Sequence, residues 1–449
     1  MEKKLEKNLI ELSKSLKKPI YAVGGIVRNY LLSGEFTGDV DICGTISVEE
    51  LAPKLEKFNF KLVAEYKRTG TVVFKGKENT YEYTAFRKEV YKEGGEHTPI
   101  FTEFTEDICE DALRRDFKCN AVYLNLSDMT IADVLGGVQD IKNRVLSTVD
   151  SPEKVFKSDG LRLLRLARFA GELNFTPAKE VLSAMARFKD NVLDISKERI
   201  YSELNKILVC DTKYSFSDPK GHYTAIKILE KTGVLDNILP ELTMGRGMVQ
   251  RADYHNYDVL EHSLKTLLYA PQSIRWQALL HDVGKPYALK KDGNFYFHNV
   301  YGEQIAIDCL KRLKADNKTI KLTKFLVKEH MLDIDCKMKE GKLKKFIVQN
   351  FSNIEALLQL KQADFMACKD SFEIAPTVEK WKKLIDKMHQ ENTPFSVKEL
   401  KVSANEIISL GFVKERTGKA LNKLLELVLL EQVENSNQKL KEALKKLKF

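Results

Sequence analysis

Two aspartates separated by one residue, Asp39 and Asp41, are the first residues of this chain whose type and spacing suggest catalysis. They lie in the segment GDVDIC at residues 38–43, where apolar residues alternate with them. Because strand side chains point alternately to opposite faces, both carboxylates are expected on one face of a half-buried strand. Carboxylates at that spacing can hold two divalent cations for in-line phosphoryl transfer. Glu82, in the strand-like segment TYEYTAF, is a candidate third carboxylate.

A glycine pair lies in the segment AVGGIVRNYLLSG at residues 22–34, which runs from a strand pattern into a short helix carrying Arg28. At Gly24 and Gly25 the backbone N–H groups could approach a phosphate, and the helix N-terminus adds partial positive charge. An isolated Gly-Gly pair is more often an ordinary strand–turn–helix junction. The phosphate-binding interpretation therefore depends on the neighbouring segments.

Three arginines, Arg162, Arg165 and Arg168, recur every three residues in a segment of helical periodicity. At 100° per residue they fall within an arc of about 120°, with leucines and alanines mostly on the opposite side. Asp159 lies three residues before Arg162 and close to the expected helix start, where a carboxylate is favoured. The usual explanation of such a row is a solvated basic face, and the alternative is a ligand-binding surface.

Histidines and aspartates recur between residues 255 and 364 in an order that suits a metal site. The candidate ligands are His262, His281, Asp282, His298, His330 and Asp364. Neutral imidazoles and carboxylates with open positions would activate water for phosphoester hydrolysis. The alternative is that these histidines serve packing or hydrogen bonding.

Several segments, taken in order, resemble the class II tRNA nucleotidyltransferases, which are the CCA-adding enzymes and the related bacterial poly(A) polymerases. The resemblance is carried by GGIVRN, DVDI, YEYTAFRKE, LRRDFKCNAVYL (113–124), ADVLGGVQDI (132–141), SDGLRLLRLARFAGELNF (158–175) and KERIYSEL (197–204). It covers about half of the chain. Each piece is weak by itself, but the joint match in the family's order is highly specific.

The resemblance implies how the head would bind a nucleotide. Gly24, Gly25 and Arg28 match the family segment that holds the triphosphate. Arg115 and Asp116, in LRRDFKCNAVYL, match the motif that senses the ribose 2′-hydroxyl.

The resemblance also implies a catalytic Mg²⁺ site at Asp39 and Asp41, with Glu82 as the third carboxylate. One residue departs from the family pattern, because Asn29 stands where an aspartate is usual after the arginine. An uncharged side chain weakens an ion pair with Arg28, so the resemblance leaves a support role at position 29 in question.

In the family, the neck takes the place of a nucleic-acid template. The resemblance implies that Asp159 and Arg162 hydrogen-bond the base edge of the incoming CTP or ATP, and that Arg165 and Arg168 contact the nucleotide. A carboxylate accepts from the exocyclic amine that C and A share, whereas U and G carry a carbonyl there. One aspartate could therefore exclude both wrong bases.

The order His…His-Asp…His…His…Asp resembles the HD phosphohydrolase superfamily, whose members bind one or two divalent metals. HD domains occur behind the nucleotidyltransferase head in the same family. The resemblance implies a divalent transition metal at the six candidate ligands, and activity of this site is an open alternative to a structural role.

The elements expected to position these residues divide the chain. Strand-like segments are confined to the first third, and helical periodicity follows almost throughout. The predicted fold is an α/β nucleotidyltransferase head with a small mixed sheet, followed by an elongated all-α remainder that includes an HD-type helical domain. The predicted domains are the head at 1–150, a nucleotide-selecting neck at 151–215, a body with the HD site at 216–370 and a tRNA-binding tail at 371–449.

Composition sets outer limits on function. The 449 residues carry a net charge of +9, which by itself is a weak sign of nucleic acid. Residues 311–345 hold twelve basic against five acidic side chains, a candidate phosphate-binding surface for the tRNA acceptor arm and elbow. No apolar run is long enough for a membrane span, and the N-terminus reads as an amphipathic helix. The seven scattered cysteines contain no CxxC pair, which predicts a reduced, cytoplasmic chain without a structural zinc site.

The family resemblance implies a template-independent CCA-adding tRNA nucleotidyltransferase that uses CTP, ATP and Mg²⁺. Variants of the family that add only CC, add only the terminal A or polymerise A share most of the motifs. Two other classes remain as alternatives, namely an HD-type metal phosphohydrolase with an RNA-binding head and a non-catalytic RNA-binding protein. The loop at about residues 88–112, which can separate the family variants, does not discriminate among them from one sequence.

Overall fold

The computed structural model describes residues 5–91 and 99–446. The chain forms two compact units, Met1–Pro240 and Glu241–Phe449. The finer division into head, neck, body and tail stays a prediction. Within the described residues, every helix is too short or too polar to cross a lipid bilayer.

The strands belong almost entirely to the first third of the chain, as the sequence predicts. They are β1 (Ile20–Val23), β2 (Val40–Gly44), β3 (Lys61–Tyr66), β4 (Thr71–Lys75), β5 (Thr80–Ala85), β6 (Arg87–Val90), β7 (Phe101–Phe104), β8 (Tyr123–Asn125), β9 (Ile131–Ala132), β10 (Val145–Leu146) and β11 (Thr176–Pro177). Seven of them form one mixed sheet in the order β3-β4-β5-β2-β1-β8-β9. The predicted small mixed sheet is confirmed.

The β2–β5 pair is the parallel pair of the large sheet, and its register sets the positions of the acidic residues. Asp41 on β2 lies directly opposite Glu82 on β5. Val40 and Ile42 are buried while Asp41 is exposed, which is the expected alternation, but Cys43, which shares a face with Asp41, is buried and interrupts it. The strand begins at Val40, and Asp39 immediately precedes it rather than lying within it.

Edge position explains a strand that the sequence analysis missed. All but one residue of β3 are exposed, and β3 pairs only with β4. A strand at the sheet edge with this burial lacks the apolar alternation by which strands are recognised. The β6–β7 hairpin was missed too, and residues 92–98 between its strands lie outside the described residues.

The helices of the first unit surround the sheet and then continue beyond it. They are α1 (Lys7–Ser15), α2 (Gly25–Ser33), α3 (Val48–Leu55), α4 (Ile108–Leu113), α5 (Gly137–Asn143), α6 (Pro152–Ser158), α7 (Leu161–Leu173), α8 (Lys179–Arg187), α9 (Lys197–Ile207), α10 (Gly221–Lys231) and α11 (Val234–Ile238). Ser151 caps α6 by accepting from the Lys154 N–H, and Pro152 at the first turn needs no hydrogen-bond acceptor. The break predicted near Ser151-Pro152 is thus a helix start.

The described part of the second unit contains no strand. Its helices, with α12 beginning at the junction of the units, are α12 (Pro240–Thr243), α13 (Val259–Tyr269), α14 (Arg275–Leu280), α15 (Lys285–Asp292), α16 (His298–Arg312), α17 (Asn317–Glu329), α18 (Glu340–Gln349), α19 (Phe351–Lys369), α20 (Pro376–Gln390), α21 (Ala404–Ser409), α22 (Lys414–Leu429) and α23 (Asn437–Lys446). The apolar faces of α14 and of α17 to α23 meet in one core that includes the fully buried Trp381. The predicted helical remainder is confirmed.

Candidate active site

A cavity of about 690 Å³ in the first unit is lined by residues of the predicted head and neck. Eleven of the twelve residues predicted for the head and neck line this cavity, namely Gly24, Gly25, Arg28, Asp39, Asp41, Arg115, Asp116, Asp159, Arg162, Arg165 and Arg168. Glu82, the twelfth, is the strand partner of Asp41. Residues spread over about 150 positions of sequence therefore face one space.

The carboxylates at the cavity floor have an unfavourable electrostatic environment. Although the Asp41 side chain reaches solvent, desolvation by the surrounding protein raises its pKa to about 6, and the neighbouring charges of Glu82 and Asp39 add to the rise. Three oxygen donors that repel one another fit a hard divalent cation, which would relieve the repulsion. The oxygen atoms of these three carboxylates nevertheless do not all lie within 4.8 Å of one another. Among the described residues, groups of three or more potential ligands that meet this distance occur only in the second unit.

The glycine turn brings the backbone close to this acidic floor. Gly24 has φ +79° and ψ −137°, a conformation that L side chains rarely adopt. A Cβ atom at Gly24 would lie 3.5 Å from Asp41 Oδ2. Helix α2 begins at the next residue, so its first N–H groups lie at the edge of the cavity.

A chain of hydrogen bonds joins the three motif segments around the cavity. Arg28 Nη1 donates to Asn120 Oδ1 at 2.5 Å, and Asn120 Nδ2 donates to Asp116 Oδ1 at 3.0 Å. The other Asp116 oxygen accepts two bonds from Arg165, at 2.8 and 2.5 Å. Although burial opposes it, the charge of Arg165 holds the pKa of Asp116 well below its usual range.

Asn29, the departure from the family pattern, is fully buried and has hydrogen-bond partners on both sides of its amide. Its Oδ1 accepts from Arg28 Nε at 3.2 Å and Nη2 at 3.0 Å. Its Nδ2 donates to the Thr37 carbonyl at 2.9 Å. The amide thus links Arg28 to the loop that leads into Asp39, which a carboxylate, having no donor, could not do.

The arginine row of α7 is largely buried, so the solvated-face interpretation is wrong. Arg162 is 7% exposed and Arg168 is 5% exposed. Arg168 donates to Glu203 Oε1 at 2.5 Å and to Glu172 Oε2 at 2.7 Å, and both glutamates are themselves buried. Buried guanidinium groups require such partners, and these partners fix the arginine side chains in place.

Asp159 lies in the junction between α6 and α7 rather than within a helix. Its Oδ1 accepts from the Leu161 N–H at 2.9 Å, while Oδ2 lies 4.0 Å from Arg162 Nε. Arg162 is held by the Ser158 hydroxyl at 2.8 Å and by the Arg114 carbonyl at 2.6 Å. Burial raises the pKa of Asp159, and Arg162 opposes that rise.

Several residues that support the cavity were missed in the sequence. Asn120 lies within the quoted motif LRRDFKCNAVYL and was not singled out. Glu203 had no signal beyond its charge, because only the packing of α7 against α9 brings it to Arg168. Glu172 had a local signal that was not used, since it lies four residues after Arg168 on α7. Glu89 and Tyr91 also line the cavity, and the Tyr91 hydroxyl donates to Glu89 Oε2 at 2.6 Å.

The second unit contains the predicted histidine and aspartate cluster. Two triads of potential ligands, His262–His281–Asp282 and Asp282–His298–His330, share Asp282, and in each triad the ligand atoms lie within 4.8 Å of one another. All five residues are buried. Asp364, the sixth predicted ligand, has its Oδ1 2.9 Å from His262 Nε2. A carboxylate shared by two triads fits a site for one or two divalent metals.

The backbone orients three of these four histidines in the same way. Nδ1 of His281, His298 and His330 each lies 2.8–2.9 Å from the carbonyl oxygen three residues earlier, so each ring donates from Nδ1. Their Nε2 atoms face the cluster, the orientation that backbone carbonyls give to metal-ligating histidines. Burial lowers the pKa of His330 to about 4, which keeps that ring neutral.

Charge at the centre of the cluster is balanced by a lysine that the sequence analysis did not single out. Lys285 Nζ lies 2.6 Å from Asp282 Oδ2 and donates to Gln250 Oε1 at 2.7 Å. Burial lowers the pKa of His281, but Asp282 and Asp364 outweigh burial and raise it to about 10. This ring is therefore charged in the metal-free cluster, and a bound cation would take the place of that charge.

Comparison with known proteins gives two family models and several relatives. Residues 20–147 match the poly(A) polymerase head domain, and residues 174–245 match a probable RNA- and SrmB-binding site of polymerase A. The A-adding tRNA nucleotidyltransferase of Deinococcus radiodurans is 33% identical over 61% of this chain and 64% of its own length. The multifunctional CCA protein of Acinetobacter baumannii is 30% identical over 70% of this chain and 74% of its own.

The fold is also similar to that of a solved structure. The CCA-adding enzyme of Bacillus stearothermophilus, determined in complex with CTP, has a TM-score of 0.68 with 22% identity and covers 98% of both chains. The present chain spans slightly less than two thirds of the length of the A-adding relative.

Proposed function

Because this chain belongs to the tRNA nucleotidyltransferase and poly(A) polymerase family, we propose that it adds the 3′-terminal CCA to tRNA from CTP and ATP without a nucleic-acid template. In the proposed reaction, the tRNA 3′-hydroxyl attacks the α-phosphate of the nucleotide, and pyrophosphate leaves. The observation that carries the proposal is the single cavity onto which the acidic floor, the glycine turn and the arginine row all open.

Triphosphate binding is assigned to the glycine turn and Arg28. The N-terminus of α2 offers backbone N–H groups and partial positive charge to phosphate oxygens. Arg28 is held by Asn29 and Asn120, so its guanidinium is pre-organised before a nucleotide enters. Arg165, with a side chain that is 33% exposed, is the arginine of α7 most available to a ligand.

Metal binding is assigned to Asp39 and Asp41, with Glu82 beside them. A bound Mg²⁺ pair would there supply activation of the attacking hydroxyl and neutralisation of the leaving pyrophosphate. The raised pKa of Asp41 supports the assignment, because a desolvated carboxylate beside Glu82 and Asp39 would be stabilised by a bound cation.

Base selection is assigned to Asp159 and Arg162. One Asp159 oxygen is occupied by a backbone N–H, which turns the carboxylate toward Arg162 and the cavity. An ionised carboxylate accepts from the amine of C or A and repels the carbonyl of U or G. An Asp159→Asn amide could donate to that carbonyl, so incorporation of UTP relative to CTP should rise roughly 10- to 100-fold, from ~1–3 kcal/mol of discrimination.

The tRNA partner is proposed from chemistry and from the relatives' names. Basic side chains in 311–345 would contact backbone phosphates and position tRNA without reading its sequence. Lys324 and Lys328 each lie within 4 Å of Glu303, so part of this charge is already paired within the unit.

The deciding experiment supplies purified protein with tRNA transcripts that end before CCA, after C and after CC. Labelled CTP or ATP is given separately, and products are resolved at single-nucleotide length. Stepwise extension of all three transcripts is expected, whereas no extension of any transcript would refute the proposal. Asp39→Ala and Asp41→Ala should abolish transfer with tRNA binding near normal, and Glu11→Gln, an exposed carboxylate on α1, is the matched control.

An A-adding enzyme is the second candidate within the family. The A-adding relative and the CCA-adding relative of Bacillus pumilus are each 33% identical to this chain, so identity does not favour either activity. Extension of only the CC-ended transcript, with ATP alone, would establish it. Extension that stops after CC would indicate a CC-adding enzyme, and a long A ladder a poly(A) polymerase.

A phosphohydrolase activity of the second unit is a separate candidate, favoured by the two buried triads that share Asp282. The expected substrate class is a phosphoester, and the expected cofactor is a divalent transition metal at the six predicted ligands. Hydrolysis of a chromogenic phosphodiester that requires added metal and disappears in His281→Ala would establish it. Equal hydrolysis by His281→Ala would refute it, and nucleotidyl transfer by the same variant controls for folding.

A further inference from the structure

His262 differs from the other three histidines of the cluster in how its ring is held. Its Nε2 faces the cluster, 2.9 Å from Asp364 Oδ1, but its buried Nδ1 has no hydrogen-bond partner among the residues that the structure describes. The other three rings each use Nδ1 to donate to a backbone carbonyl. A buried ring nitrogen left without a partner is costly and requires an explanation.

Two further ligand-type side chains lie beside this ring. His255, His262 and Cys368 each offer a ligand atom, and the three atoms lie within 4.8 Å of one another. Nδ1 of His255 is likewise buried, and no group in the described part of the chain forms a hydrogen bond with it. The rings of His255 and His262 meet edge to face, with centroids 4.8 Å apart. Neither His255 nor Cys368 belongs to the six predicted ligands of the phosphohydrolase cluster.

The fold fixes this arrangement through local geometry. Asp364 and Cys368 are four residues apart on α19 and therefore share a face of that helix. The Asn256 N–H donates to the Cys368 carbonyl at 2.9 Å, which ties the segment carrying His255 to the end of α19. His262, on α13, lies between Asp364 and Cys368 and contacts both groups of ligands.

We propose that His255, His262 and Cys368 form a second metal site, for Zn²⁺ or a similar borderline-soft divalent ion, adjacent to the HD-like cluster. Two imidazoles and one thiolate are a donor set that Zn²⁺ accepts, and water would complete the tetrahedron. With Nε2–H of His262 donating to Asp364, Nδ1 is the ligand atom, an arrangement that carboxylates give to zinc-bound histidines. When this site is filled, His262 serves it rather than the HD-like cluster, which keeps Asp282, His298 and His330 as a complete triad. Tetrahedral ligand atoms lie roughly 3.3–3.6 Å apart, so side-chain shifts of about 1 Å complete the site.

Metal binding here exchanges a proton. The Cys368 S–H bond loses its proton to solvent as the S–Zn bond forms, because the thiolate is the ligand form. A zinc site here contradicts the prediction, made from the scattered cysteines, of a chain without a structural zinc site. Its three residues come from two distant parts of the chain, so the absence of CxxC pairs does not reveal it.

The test uses the full chain with Co²⁺ or Zn²⁺ alone as the probe. Co²⁺ should give a thiolate-to-cobalt charge-transfer absorption in the wild type that disappears in Cys368→Ser and in His255→Gln. The matched control is Cys336→Ser, a second half-buried cysteine of the same unit, which should keep the absorption. Bound Zn²⁺, counted by elemental analysis after dialysis, should fall by one ion per chain in Cys368→Ser and stay unchanged in Cys336→Ser.

A second readout needs no variant. Zn²⁺ should slow alkylation of Cys368 and leave alkylation of Cys336 unchanged, as measured on peptides by mass spectrometry. Absence of the cobalt absorption in the wild type, or its persistence in Cys368→Ser, would overturn the proposal, and so would unprotected Cys368. Asp282→Asn separates the two sites, because it should reduce binding by the HD-like cluster while the charge-transfer absorption remains.

Discussion

Replacing Asp41 by asparagine should stabilise the metal-free protein, although it removes a proposed metal ligand. The pKa of Asp41 is raised to about 6 because burial and the charges of Glu82 and Asp39 disfavour its ionised form. A carboxyl group whose pKa is higher in the folded than in the unfolded state binds its proton more tightly when folded. Above its folded pKa the ionised group therefore opposes folding, and Asp41→Asn removes that opposition.

The gain in the free energy of unfolding follows from the pKa shift of Asp41. A rise from 3.8 to about 6 is about two units, and at ~1.4 kcal/mol per unit the ceiling is ~3 kcal/mol. Because the Asp41 side chain stays in contact with solvent, screening reduces this value, and we expect ~1.5 kcal/mol at about pH 7.5. The ionised Asp41 carboxylate destabilises the folded state increasingly as pH rises from its unfolded to its folded pKa. The stability gained by Asp41→Asn at about pH 5 should therefore be about half of the gain at about pH 7.5.

The assay is urea unfolding in EDTA at both pH values, followed by hydrogen–deuterium exchange of β2 and β5. Both tryptophans, Trp276 and Trp381, lie in the second unit, so their fluorescence should show an unchanged midpoint in Asp41→Asn. Glu11→Gln should alter stability by no more than about 0.5 kcal/mol. Mg²⁺ should stabilise the wild type and not Asp41→Asn. A loss of stability in Asp41→Asn, or an equal gain at both pH values, would refute the reasoning.

Three further substitutions test the support of the cavity. Arg168→Met removes the buried guanidinium shared by Glu172 and Glu203, which keep only their lysine partners Lys213 and Lys206, and should cost ~1.5–3 kcal/mol in urea unfolding. Arg187→Met, at an exposed ion pair, should cost less than about 1 kcal/mol, and equal losses would contradict the buried network. Asn29→Asp places an acceptor against the Thr37 carbonyl and should cost ~1–3 kcal/mol, and unchanged stability would show that this hydrogen bond contributes nothing. Gly24→Ala should cost ~1–3 kcal/mol from its positive φ, which thermal melting would measure, and an unchanged melting temperature would argue against strain there.

Local sequence pattern predicted much of the head because its strands and turns are written in short segments. Alternation in TYEYTAF placed Glu82 opposite a buried face, and the structure pairs Glu82 with Asp41. Long-range partners could not be predicted in this way. Asn120 and Glu203 acquire their roles only when distant segments meet, since neither has a periodic neighbour that indicates its target.

Periodicity also could not decide what the arginine row of α7 faces. A solvated basic helix and a helix that turns its arginines into a cavity have the same spacing of charged and apolar residues. The two cases differ in the acids supplied by other elements, here Asp116 from the head and Glu203 from α9. Burying an arginine costs little free energy only when acidic partners compensate its charge. The positions of these acids therefore determine whether the arginine face of a helix is solvated or lines a binding site. Arg165 forms an ion pair with Asp116 and remains partly exposed, so the same side chain is held in place by the protein and accessible to a ligand.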